Sequence, residues 1–108
     1  MSAEVGFGAP PPDGLGRLFV AVESEVVLGC LLVALEADTA VRITDVAVEA
    51  AARERGVGRA LVAAALDWAR ERHARVACVD SADRALGFWR AVGFEGDGSR
   101  LERSIAQS

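Results

Sequence analysis

The sequence predicts one α/β domain built on a mixed sheet, with elements in the order β-β-β-α-β-α-β. Three observations carry this. The chain has 108 residues, the length of one small domain and too short for two. Three Val- and Leu-rich runs precede a long stretch whose apolar residues recur at helical spacing. A further β-branched run follows that stretch, as in a parallel strand reached through a helical crossover.

Taken in order, residues 1–16 hold Gly6, Gly8, Pro10, Pro11, Pro12, Gly14 and Gly16, and are expected to form a flexible N-terminal loop or tail. The domain proper is expected over residues 17–108. Residues 17–23 and 25–36 are apolar runs joined at Glu23-Ser24-Glu25, which predicts an antiparallel hairpin. Ala37-Asp38-Thr39 supplies the next turn. In residues 40–48, Val41, Ile43, Val46 and Val48 predict a third, central strand.

Residues 49–55 form a polar connection. A helix is then predicted from Gly56 to about His73, with Val57, Leu61, Ala65 and Trp68 flanked by Val62, Leu66 and Ala69 on one apolar stripe. Residues 75–79 predict a strand parallel to the third. Asp80-Ser81 is a helix-start signal. A second helix is expected over residues 82–92, closed by Gly93 as its C′ residue. Residues 95–99 read as a polar loop, and residues 100–105 as a last strand.

Composition narrows the function. Apolar residues make up 52% of the chain, enough for a core without disulfides or metal. Cys30 and Cys78 lie in apolar runs without metal-ligand spacing, and are expected to be buried free thiols suited to a reducing cytoplasm. No metal is expected. A net charge of -4 disfavours nucleic acid. The longest apolar run, residues 26–35, is too short to span a membrane, and no signal-peptide pattern opens the chain.

The most chemically loaded stretch is Arg53-Glu54-Arg55-Gly56-Val57-Gly58-Arg59, between the third strand and the long helix. A helix start leaves backbone N–H groups without partners and carries partial positive charge, so it suits an anion. Two glycines let the backbone approach phosphate oxygens, and Arg53 and Arg59 can add forked, charge-assisted bonds. A tight turn carrying a solvated arginine cluster would show the same residues. The spacing matches neither a P-loop nor a dinucleotide fingerprint.

Val46-Ala47-Val48 followed by Arg53-x-x-Gly56-x-Gly58 resembles the acetyl-CoA-binding motif of the GNAT superfamily of N-acetyltransferases, [Arg/Gln]-x-x-Gly-x-[Gly/Ala]. Ala85-Leu86-Gly87-Phe88-Trp89-Arg90-Ala91-Val92-Gly93-Phe94 resembles that family's second signature, Ala-x-x-Phe-Tyr-x-x-x-Gly-Phe. The resemblance implies the GNAT fold without its usual N-terminal helices. It implies that backbone amides from Arg55 to Arg59, through Gly56, Val57 and Gly58, hold the pyrophosphate, with Arg53 and Glu54 in the same loop. Val46, Ala47 and Val48 would run beside the pantetheine arm, and Asp83 and Phe88 would line the opposite wall. A substrate amine would attack the acetyl carbonyl directly.

Two departures stand out: the usual N-terminal helices are missing, and one position of the second signature differs. The family's tyrosine, often the acid that protonates the leaving thiolate, falls at Trp89, and the chain has no tyrosine. An indole N–H cannot deliver that proton. Ser81, Cys78 or a water would have to take the role, or the thiolate leaves with no acid at all. Asp45 is a candidate base, alongside Thr44, Glu49 and Asp80, whose carboxylates also fit a turn, a cap or the surface. His73 fits a helix-end charge partner. The expected partners are acetyl-CoA, an amine substrate and a second copy of the chain, which would cover apolar sheet surface left by the missing helices. The alternative function is a non-catalytic acetyl-CoA-binding module that regulates another protein.

Overall fold

The computed structural model describes residues 2–5, 16–37, 39–52, 54–80, 86–96 and 100–106, with the backbone alone at residues 2–5 and Asp45. The described elements are β1 (Ser2–Val5), β2 (Gly16–Glu23), β3 (Val26–Ala37), β4 (Ala40–Val48), α1 (Val57–Glu71), β5 (Val76–Val79), α2 (Leu86–Ala91), β6 (Glu95–Gly96) and β7 (Leu101–Ser104). The strands form one sheet in the order β1-β2-β3-β4-β5-β7-β6. Among the described strands only β4 and β5 pair in parallel; every other neighbouring pair is antiparallel.

The mixed sheet, the parallel crossover through α1 and the central position of residues 40–48 match the sequence reading. Three features differ. Ser2–Val5, expected within a loop, pair with Val22 back to Phe19 of β2 and add an edge strand. Glu95–Gly96, also expected as loop, pair with Glu102 and Leu101. The backbone hydrogen bonds of an adjacent strand recruit both segments, a gain that their own composition does not signal. The connection after β4 contains a short 3-10 turn at Ala50–Ala52. The flexible reading of residues 6–15, and residues 82–85 of the expected second helix, lie outside the described residues.

One face of the sheet builds the core. Phe19 and Ala21 from β2, Leu31 and Val33 from β3, Val41 and Ile43 from β4, and Ala77 and Val79 from β5 meet the stripe of α1. That stripe buries Val57, Leu61, Val62, Ala65, Leu66, Trp68 and Ala69, every position the periodicity selected. The fit is close at Gly29. A Cβ there would lie 2.8 Å from the Ala47 carbonyl oxygen and 3.1 Å from Val57 Cγ1, so only glycine lets α1 settle on β3.

Both helices end in the same motif. After α2, Gly93 takes φ +97°; its N–H donates to Arg90 O, and Phe94 N–H donates to Trp89 O. This is a Schellman closure, and Phe94 is fully buried against Trp89, with ring centroids 5.1 Å apart. After α1, His73 N–H donates to Arg70 O and Ala74 N–H donates to Ala69 O. Here the left-handed residue is His73, at φ +64°. The histidine expected as a charge partner for the helix end thus occupies the left-handed C′ position of that end.

Candidate functional site

The site begins where the pairing of β4 with β5 ends. Their pairing runs from Ala40↔Val76 to Ile43↔Val79 and stops, while β4 continues to Val48. At the same level β4 bulges against β3. Leu32 pairs with Asp45 and Val33 with Ile43, so Thr44 is the extra residue; its hydroxyl donates to Leu32 O at 3.4 Å. A bulge of this kind raises local twist, and β4 runs on past the end of β5 at Val79. Val46 and Val48 pack partly against the core from this segment, and Ala47 is exposed.

The chain then leads directly into the start of α1. Gly56 is the N-cap, at φ +81° and ψ 12° in the left-handed region, and makes no side-chain cap bond. The first helical bond is donated by Ala60 N–H to Gly56 O at 3.0 Å. The amides of Val57, Gly58 and Arg59 therefore have no intrahelical acceptor. No acidic residue occupies the first turn. Most helix starts in proteins are neutralised by a capping oxygen or a carboxylate; this one keeps its partial positive charge.

The two glycines of the loop serve different ends. Gly56 has open space around its missing Cβ but needs a backbone conformation that other residues rarely adopt. Gly58 has ordinary helical geometry but no room: a Cβ would lie 2.9 Å from Phe88 Cε1. The sequence reading assigned both glycines to ligand approach. The fold uses the second to seat α2 on the start of α1. Phe88 is thus placed beside the loop, as expected. Trp89 is 4% exposed and meets Phe88 and Phe94 edge to face, so the residue at the tyrosine position is part of the core.

Arg55 is held differently from the expectation. Its amide N–H donates to Ala52 O at 3.1 Å, which leaves the amide cradle to the residues after it. Its guanidinium reaches back to β2 and donates to both oxygens of Glu23, at 2.7 and 2.6 Å. That guanidinium holds the Glu23 carboxyl below its ordinary range. Glu54 and Arg59 are exposed. Arg53, Ser81 and Asp83 lie outside the described residues, as does the side chain of Asp45.

A second polar cluster lies on the sheet face away from α1, and the sequence reading did not see it. Cys78 is fully buried, and its thiol donates to Glu36 Oε2 at 2.9 Å and to Val41 O. Arg42 bridges Glu36, at 2.6 Å, and Asp80. Arg100 joins Glu36 to Glu102. The hydrogen bonds from Cys78 and then Arg42 pull the Glu36 carboxyl down to about 2. Burial, and then the Glu36 carboxylate, push the Cys78 thiol up to about 11. The proton therefore stays on sulfur. No local pattern could reveal this set, because its bonds join residues 37 to 64 positions apart, except for Glu36 with Arg42 and Arg100 with Glu102. Cys30 is half-buried, and both thiols are free.

Among the described residues, no helix is long and apolar enough to cross a membrane. No curated protein sequence matches the chain at a significant level. Solved structures do. A nourseothricin acetyltransferase superposes with a TM-score of 0.79 at 25% identity, covering 89% of this chain and 69% of that one. Ard1 from Thermoplasma volcanium gives a TM-score of 0.73 at 25% identity, over 83% of this chain and 71% of that one. An IAA acetyltransferase from Bacillus cereus gives 0.73 at 18% identity, over 84% and 79%. The model of the acetyltransferase (GNAT) family matches residues 7–94. The glycine loop at the open start of α1 and the Phe88–Phe94 signature packed upon it both fall within that match, and the chain belongs to the GNAT family of acetyltransferases, which uses acetyl-CoA.

Proposed function

We propose that the chain transfers the acetyl group of acetyl-CoA to a primary amine of a small molecule or peptide. The observation that carries this reading is the uncapped start of α1. Its amides at Val57, Gly58 and Arg59 lack intrahelical acceptors, and no carboxylate of its own occupies the first turn. Such an end suits a pyrophosphate. Residues 44–48 of β4, beyond the last pairing with β5, suit an extended arm that ends where β5 stops.

Acetyl-CoA supplies an acetyl group already activated as a thioester. The chain's part is to hold the amine and the carbonyl at attack distance and to offer backbone donors to the developing oxyanion. Asp45 is assigned as the group that relieves the amine of its proton, and Ser81 as the group that returns one to the leaving sulfur. Asp45→Asn and Ser81→Ala should each lower kcat while leaving acetyl-CoA affinity near that of the parent.

The primary test is a thermal shift with acetyl-CoA, followed by thiol release across an amine panel. Absence of any shift at saturating acetyl-CoA would count against this reading. Gly56→Asp, which adds bulk and negative charge beneath the phosphates, should remove the shift.

A second reading is favoured by Trp89. The position that bears the general acid in many relatives is here a buried indole, which suits a module that binds acetyl-CoA and regulates a partner. Binding without turnover on any amine would select it. We also place the protein in a reducing cytoplasm, consistent with its two free thiols. Self-association belongs to the same reading, supported by Val26 and Val27, which are 57% and 41% exposed at the start of β3. Sedimentation at micromolar concentration tests it, and a monomer would count against it.

A further inference from the structure

The Glu23–Arg55 pair lies at the edge of the glycine loop and is not explained by the fold. The loop's shape does not depend on it. The Arg55 backbone is already fixed by the bond from its amide to Ala52 O, and Gly56 needs nothing around it. Nor is the pair a buried strut: its side chains are 48% and 41% exposed, and ion pairs this open contribute little to stability. Yet both carboxylate oxygens of Glu23 engage the guanidinium one residue before the N-cap of α1. A carboxylate thus stands beside a helix start that has no acidic residue in its own first turn.

We propose that Glu23 is an internal stand-in for phosphate: it occupies Arg55 while the loop is empty and yields the guanidinium when the phosphates of acetyl-CoA arrive. This rests on the reading of the loop as the pyrophosphate site. Arg55 can make forked bonds to phosphate oxygens as readily as to a carboxylate, and a phosphate carries more charge. The exchange costs one exposed ion pair, so it weakens cofactor binding modestly and makes it sensitive to salt. Glu23 is a positioning residue for Arg55 and sets the affinity for the phosphate-bearing cofactor. It does so from the end of β2, about thirty residues away in sequence.

Calorimetric titration of the full chain with acetyl-CoA and with phosphate-free acetyl-pantetheine tests this. Glu23→Gln keeps the side chain's shape and removes its charge. It should tighten acetyl-CoA about two- to fivefold at low salt, with the gain fading as salt rises. Acetyl-pantetheine binding should not change. Arg55→Gln should weaken acetyl-CoA, and adding Glu23→Gln to it should bring no further gain. Glu23→Ala serves as a second variant with the same expected direction. Unchanged or weaker acetyl-CoA binding in Glu23→Gln overturns the inference, as does a gain that persists without Arg55. If the parent chain binds acetyl-CoA no better than acetyl-pantetheine, the phosphate reading of the loop falls and this inference with it. Phosphate-dependent affinity that ignores Glu23 overturns this inference alone.

Discussion

The Cβ that Gly58 lacks would lie 2.9 Å from Phe88 Cε1. The two residues belong to the two separate sequence signatures, thirty positions apart, and the contact joins them. It makes the loop and the second helix one unit: α2 can close over the start of α1 only because Gly58 has no side chain. Gly58→Ala should therefore cost about 1 to 3 kcal/mol by denaturant unfolding, since the ring must move. It should also weaken acetyl-CoA. Phe88→Ala in the same chain should recover part of the loss, and strict additivity in that double-mutant cycle would refute the contact's importance.

Gly56 predicts a different pattern. Space is free around it, and the constraint is φ +81°. Gly56→Val should destabilise by about 1 to 2 kcal/mol, and Gly56→Asn by clearly less, because asparagine tolerates the left-handed region. Equal losses for the two would point to packing instead of backbone strain.

At the other end of α1, His73 occupies the left-handed C′ position at φ +64°. His73→Gly should raise stability by about 1 kcal/mol, because glycine meets no Cβ penalty there. The melting temperature should rise without any change in ligand binding. A fall would show that the imidazole makes a contact worth more than the strain.

Gly29 tests the seat of the crossover helix. Gly29→Ala would drive a Cβ to 2.8 Å from the Ala47 carbonyl oxygen, a backbone atom that cannot simply rotate away. A loss of about 2 kcal/mol or more in chemical denaturation is expected, together with weaker acetyl-CoA binding, because Ala47 belongs to the segment of β4 proposed to run beside the cofactor's arm.

The Glu36–Cys78 pair gives pH dependence at both ends. The Glu36 carboxyl titrates near 2 when folded, against 4.5 ordinarily. Its stabilising effect is present above about 4.5 and is lost as the pH falls towards 2. The Cys78 thiol titrates near 11, raised from 9.0, so its effect is present below 9.0 and is lost as the pH rises through about 11. Stability curves of Glu36→Gln should lack part of the acid limb, and those of Cys78→Ala part of the alkaline limb. Curves that keep both limbs intact would sever the pair from stability.

Much of this protein was legible before any coordinates. The stripe from Val57 to Ala69 fixed α1, because helical spacing and burial are the same statement for an amphipathic helix. The alternation in residues 40–48 located the central strand. The glycine loop between them placed the candidate phosphate site. These are local properties: each is written within one element and its neighbour.

What the tertiary structure decided is of another kind. It paired Ser2–Val5 with β2, though their own sequence carries no strand signal. It gave Gly58 to Phe88, drew Arg55 to Glu23 and assembled Glu36, Arg42, Cys78, Asp80 and Arg100 on one sheet face. Every one of these depends on strands brought together by register and crossover, across separations that no window of sequence spans. Patterning alone determined most of the elements and where the glycine loop begins. The sheet decided what that loop touches, because contact is a property of the folded chain and not of residue order.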